Sequence, residues 1–210
     1  MKQESHTDGS ETADERGLTA RIAARVSELR AERGYSLDAL AARSGVSRSA
    51  ISLIERCATS ATAVVLEKLA TGLGVPLASL FDAPSPSDVA RPIARRADQP
   101  LWRDPQSGYR RRSVSPRGWP SPIRITEVEF PAGAVVSYDT GERDVDIHQQ
   151  VWVLTGEVEI SFAADTYRLE TGDCLAMRVD RPITFRNRTA RSARYAVVVV
   201  GQPLPARRSS

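Results

Sequence analysis

Ser47, Arg48, Ser49, Ser52 and Arg56 put small hydroxyls and forked cations on one side of a short segment. Its other side holds Ala50, Ile51 and Ile54. Such a face suits the DNA major groove, where arginine bonds guanine in a bidentate fashion and hydroxyls reach base edges or phosphates. Elsewhere the chemistry is sparse. Cys57 and Cys174 fall in different segments and neither belongs to a CxxC pair, which leaves no zinc finger and argues against a structural disulfide. No nucleophile–base pair, P-loop or dinucleotide fingerprint is present.

The elements that must hold this face are helical. Leu18, Ile22, Val26 and Leu29 recur every three or four residues, predicting a first helix that stops at Gly34. Ser36 is placed to cap a second helix with Leu37, Leu40 and Ala41 inward, and Ser47 a third, Ser47–Arg56. Gly45 permits a left-handed turn between them, and Ala41 is expected to be small because the two helices cross there. Leu66, Leu69, Ala70 and Leu73 predict a fourth helix ended by Gly74, and Pro76 opens a short fifth through Leu77 and Leu80.

The texture then changes. APSPSDVARP holds three prolines and no apolar period, and residues 83–98 read as a linker. From about Pro100 the runs shorten and favour β-branched and aromatic residues, as in IRITEVEF, VWVLTGEVEISF and RYAVVVV, the pattern of an all-β sandwich or barrel. Residues 1–17 are expected to be a disordered acidic tail, 18–82 a helical domain, 99–202 a β domain and 203–210 a flexible tail.

Charge is divided between these parts. Segment 83–118 sets eight arginines against Asp88, Asp98 and Asp104, whereas residues 119–202 set nine arginines against twelve acids. A basic front and an acidic back suit one half that meets nucleic acid and one that does not, although solvated surface arginines explain part of it. No apolar run approaches the ~20 residues of a bilayer span, and the first residues lack the apolar core of a signal peptide. The expectation is a soluble, cytoplasmic protein without membrane partners.

LAARSGVSRSAISLIER and LEKLATGLGVPLASLF make segment 18–81 resemble the Cro/C1-type helix-turn-helix domain of the xenobiotic-response-element-like regulators. The resemblance implies a five-helix bundle whose third helix enters the major groove of a double-stranded operator. It puts Arg48, Ser49, Ser52 and Leu53 at base-facing positions, with Ser47 and Arg56 better placed for phosphates. Ser47 has the alternative of being only a cap. Three residues depart from the pattern: Cys57 stands where glycine is common, Ala61 where proline is frequent, and Leu53 where the residue is often polar. The first departure concerns a left-handed helix end that glycine accepts without steric cost.

The segment IHQQVWVLTGEVEISFAADTYRLETGDCLAMRVDRPITFRN resembles the cupin family, through the VLTGEVEI hairpin, the YRLETGD turn and PITFRN. That implies a closed double-stranded β-helix barrel around a pocket. The positions at which metal-binding cupins carry ligands hold Arg143, Val145, Gln149 and Ile183, none a competent ligand for a catalytic metal. His148 sits beside this series and points to the opposite face from Gln149. The resemblance thus implies no metal or other cofactor and no enzymatic activity.

A metal-free pocket of this kind can still take a small organic ligand. Arg143 and Gln149 would fix a carboxylate or amide, with Val145, Val151, Val153, Ile183 and Phe185 around it. The alternative is a filled pocket with Arg143 on a loop. Trp102 and Tyr109, set among arginines, either stack on nucleic acid or lie on the barrel from an edge strand, the second being preferred. The order of domains resembles one-component transcription regulators, implying a homodimer reading two half-sites. Two rivals stay open: a ligand-independent repressor whose cupin only dimerises, and a metal-dependent cupin enzyme with a DNA-binding appendage.

Overall fold

The computed structural model describes residues 8–81, 90–139 and 145–203. Four α-helices come first: α1 (Asp8–Glu32), α2 (Leu37–Ser44), α3 (Arg48–Glu55) and α4 (Ala63–Gly72). The expected start of α1 at Leu18 is corrected, because the helix extends back to Asp8 through part of the segment expected to be disordered. Ala13, Glu15 and Arg16 are good helix formers, and a helix nucleated by the buried turns from Leu18 onward extends outward at little cost. The expected fifth helix is also corrected. Leu77–Leu80 is a single 3₁₀ turn with Pro76 as its N-cap, since four residues close too few bonds for an α-helix.

The helical core follows the apolar period, with Leu18, Ile22, Val26, Leu29, Leu40, Ile51, Ile54, Leu66, Leu69 and Leu73 all buried. α4 meets α2 closely, and a Cβ on Gly72 would stand 2.8 Å from the Ser44 Cβ. Ala41 packs at the edge of the core.

Ten strands follow. One antiparallel sheet has the order β1 (Leu101–Arg103), β2 (Arg110–Ser113), β3 (Ile123–Phe130), β10 (Ala193–Pro203), β5 (Val145–Thr155), β8 (Cys174–Arg178). The other has β4 (Val135–Tyr138), β9 (Ile183–Arg186), β6 (Glu157–Phe162), β7 (Asp165–Glu170). The expected closed barrel is therefore corrected to two separate sheets enclosing one core. The chain changes sheet at Gly156, beside a register shift of β10 against β5 at Arg194/Tyr195, which bends the pair and ends the ladder there.

Strand alternation decides the inside. Tyr195 of β10 is buried opposite Val128 of β3 and Val153 of β5, Val197 opposite Val151, and Val199 opposite Gln149. Asn187 carries no exposed surface: its Nδ2 donates to the carbonyls of Phe130 (3.2 Å), Pro131 (3.0 Å) and Arg191 (2.8 Å). Its Oδ1 accepts from the Thr189 backbone N–H at 2.9 Å.

The two halves share a packed seam. Rings run edge to face from Phe81 to Trp102 (5.5 Å between centroids), Trp102 to Tyr109 (5.8 Å) and Tyr109 to Phe130 (6.2 Å). Trp102 and Tyr109 thus lie in the interior. Asp104 is buried and accepts the Ala63 N–H at 2.9 Å, so the β half satisfies an orphan donor at the start of α4. Of the expected linker, residues 83–89 lie outside the described residues, and Arg96–Asp98 forms a 3₁₀ turn.

Candidate DNA interface and interdomain cavity

Each part of the α2–α3 unit has a local cause. The Ser36 side chain accepts the Ala39 N–H at 3.1 Å, and Ser47 accepts the Ala50 N–H at 3.2 Å, capping both helices. Gly45 takes φ 66° between them, and the Ser44 hydroxyl donates to the Leu40 carbonyl at 2.7 Å beneath the turn. Buried Ile51 and Ile54 fix the rotation of α3, so that Arg48, Ser49, Leu53 and Arg56 are exposed and Ser52 is half-buried beside them.

Two ion pairs hold this unit differently. Arg30 of α1 grips Glu55 of α3 with Nε at 2.7 Å and Nη2 at 2.8 Å, and its Nη1 donates to the Tyr35 carbonyl at 2.9 Å. The Glu55 hydrogen bond raises the Arg30 pKa above its ordinary value. Partly buried and bidentate, this pair fixes α3 on α1. Arg48 instead meets Asp38 of α2 at 3.3 Å with both side chains mostly exposed, an arrangement of small stability value. Ser47 and Ser49 hydroxyls lie 3.2 Å apart, and Arg56 Nε donates to the Ser52 carbonyl at 3.2 Å.

Cys57 ends α3 in the left-handed region, at φ 57°. Its N–H donates to the Ile54 carbonyl and that of Ala58 to the Leu53 carbonyl, both at 2.9 Å. These are the two bonds of a Schellman end, formed with cysteine in the position glycine favours.

The second feature is a cavity of about 60 Å³ between the β half and the helical half. Gln149, Ile183 and Phe185, three of the residues expected there, line it. Val151 is fully buried nearby but does not line it. Arg143 lies outside the described residues, and Val145 is described only as backbone of β5. His148 is exposed, 3.4 Å from Asp146, and does not join Gln149 at the cavity. Gln149 Nε2 has Met177 Sδ at 3.9 Å, and Ile183 has no donor atom, so these positions do not fit a cupin metal. Among the described residues no His, Cys, Asp and Glu group of three could hold one.

Sequence reasoning missed the polar lining. Tyr109, Arg111, Tyr138 and Tyr195 of the β half, with Glu67 of α4, all face the cavity. The Tyr109 and Tyr138 hydroxyls are 3.1 Å apart. Burial pushes the Tyr138 and Tyr195 phenols well above their ordinary pKa, and that of Tyr109 upward too, so all three stay protonated at neutral pH. The signal for Arg111 was available. In a strand reading Arg110–Arg111–Arg112, side chains alternate, and the middle one must turn opposite its neighbours.

A capped two-helix unit with an exposed polar face, packed on an antiparallel two-sheet domain, defines a DNA-binding module with an appended β domain. The helix-turn-helix family HTH_3 matches residues 26–80. The HTH-type transcriptional regulator SutR of Escherichia coli K12 is 26% identical over 160 residues, 76% of this chain and 83% of that protein. That stretch is too long to lie within the helical half alone. An HTH_3 family transcriptional regulator from Vibrio cholerae shares the fold, with TM-score 0.70 and 22% identity over 89% of this chain and 98% of that one. The Cupin_2 domain of an XRE family regulator from Enterobacter cloacae superposes on 45% of this chain and 97% of that one, at TM-score 0.41 and 17% identity. The helical half is a Cro/C1-type helix-turn-helix domain, and the chain is a DNA-binding transcriptional regulator. No helix among the described residues is long and apolar enough to cross a membrane.

Proposed function

We propose that this regulator reads its operator through Arg48, Ser49, Ser52 and Leu53, holds phosphates with Ser47 and Arg56, and responds to a small molecule in the β half. The protein acts as a homodimer on two half-sites about one helical turn apart, and carries out no catalysis. The observation that carries this reading is the make-up of the cavity. Its walls are β strands, but Glu67, Pro76, Leu77 and Ala78 of the helical half close it. A ligand there touches the DNA-binding domain directly and need only prefer one domain arrangement to shift operator affinity.

A gel-shift selection from random duplexes, repeated with the enriched operator across a metabolite library, tests the reading. It predicts one enriched palindromic site and at least one compound that changes the affinity. Enrichment of no site would overturn the DNA reading.

A second reading has its own observation. Trp152, Ile123 and Ile125 are 51%, 46% and 38% exposed on the outer face of the six-stranded sheet. A second copy packed there supports the β half as a dimerisation module without a ligand. Trp152→Glu separates the roles: it should produce monomers in sedimentation while leaving ligand-induced stabilisation intact.

A further inference from the structure

Arg111 of β2 is 6% exposed, and its ionic environment differs from that of its neighbours. Arg110 has Glu129 at 3.4 Å and Arg112 has Glu127 at 3.8 Å. Arg111 has no carboxylate partner among the described residues. One Nη donates to the Thr126 hydroxyl at 2.9 Å, the guanidinium lies 4.8 Å over the Phe81 ring, and the buried Nε has no protein acceptor. Burying a cation is costly, and the cation–π contact returns only part of that cost; the acid that shares its cavity is Glu67. This arginine lines the cavity.

We propose that the cavity is a binding site for a small monocarboxylate, with Arg111 as its anion-holding group. The inference rests on the ligand-responsive reading above and gives it a chemical class. A carboxylate matches the guanidinium fork. Tyr109 and Tyr138 offer hydroxyls beside it, and Gln149 a carboxamide, while Val128, Ile147 and Phe185 provide apolar wall for a short hydrocarbon tail. Size limits that tail. A cavity of about 60 Å³ is well below the ~150 Å³ that admits benzene, so the ligand has only a few carbons. Charge limits it further: Glu67, itself 5% exposed, faces the same space and disfavours a second negative charge. Sulfate and phosphate dianions are therefore poor ligands.

The same geometry supplies the route to DNA. Phe81 follows the 3₁₀ turn that closes the cavity, and Arg111 lies on its ring. A carboxylate drawing on the guanidinium acts on the group that seats the helical half.

Thermal-shift and calorimetric titration of the full chain with sodium propionate and butyrate tests the site, with propionamide, sodium sulfate and sodium chloride of equal ionic strength as comparisons. Propionate or butyrate should raise Tm saturably, propionamide and sulfate should not, and Arg111→Gln should abolish the response. Glu67→Gln keeps the test open if Arg111→Gln fails to fold. It removes the opposing charge and should tighten carboxylate binding about tenfold, as expected for relief of a unit-charge repulsion at short range. The bound acid should also change operator affinity in the wild type. Equal stabilisation by propionamide, or an unchanged midpoint in Glu67→Gln, would overturn the carboxylate assignment. Stabilisation by neutral or cationic metabolites alone would overturn it while leaving the ligand-responsive reading standing. No saturable stabilisation by any of these classes would remove both. Carboxylate binding without a change in operator affinity would overturn the proposed route to DNA.

Discussion

In the helical half, arginine and glutamate meet at Arg30–Glu55 and lock one helix onto another, leaving an exposed polar face outside. In the β half, an equally important arginine, Arg111, sits inside with no carboxylate in direct contact among the described residues. The first half shows its chemistry on one surface built from about ten consecutive residues. The second assembles its chemistry in an interior from Glu67, Tyr109, Arg111, Tyr138, Gln149 and Tyr195, drawn from across the chain. A surface face needs only the period of one helix, whereas an interior site needs the whole strand order. The first can be changed without disturbing the fold, and the second cannot.

The difference can be put under strain experimentally. Asn187 is the most demanding test of the β interior, since its loss removes a buried amide that bonds three carbonyls and leaves the Thr189 N–H without its acceptor. Asn187→Ala should cost about 3–4 kcal/mol in urea unfolding. If the aromatic seam joins the halves into one cooperative unit, helical circular dichroism and Trp102 emission should lose structure together. Separate transitions would show that the halves unfold independently. Gly72→Ala strains the helical core where α4 meets Ser44 and should cost about 2–3 kcal/mol, because the backbone must yield.

Arg48→Ala addresses the surface. It should weaken operator binding by about 1–3 kcal/mol and relax one base position, with stability unchanged. A loss of stability of comparable size would mean that the face is structural as well. Smallest is Cys57→Gly, which should raise stability by about 0.5–1 kcal/mol: relief of a left-handed side chain, less the entropy that glycine gives the unfolded chain.

The caps at Ser36 and Ser47, the turn at Gly45 and the buried periods of α1 and α4 were legible in the sequence because each follows from residues within a few positions. The start of α1 was not, since hydropathy marks where a helix becomes buried, not where it begins. The close approach of Gly72 to Ser44 was not legible, because local spacing cannot show which distant residue meets α2. In the β half, Gln149, Ile183 and Phe185 were found through motif position. Arg111 was hidden in a basic run that resembles solvated surface, and Glu67 belongs to the other half altogether.

The pairing of Arg48 with Asp38 has an electrostatic consequence for operator search. An arginine that already holds a carboxylate arrives at DNA with its own counter-ion. Near phosphates Asp38 repels, so a misplaced recognition helix gains little from nonspecific attraction. Only a guanine edge, offering two aligned acceptors, competes well for the guanidinium. Because exchanging Asp38 for a base releases no cation from the DNA, this contact should contribute little to the salt dependence of binding. The recognition helix would then lose less of its base discrimination than of its overall affinity as salt rises.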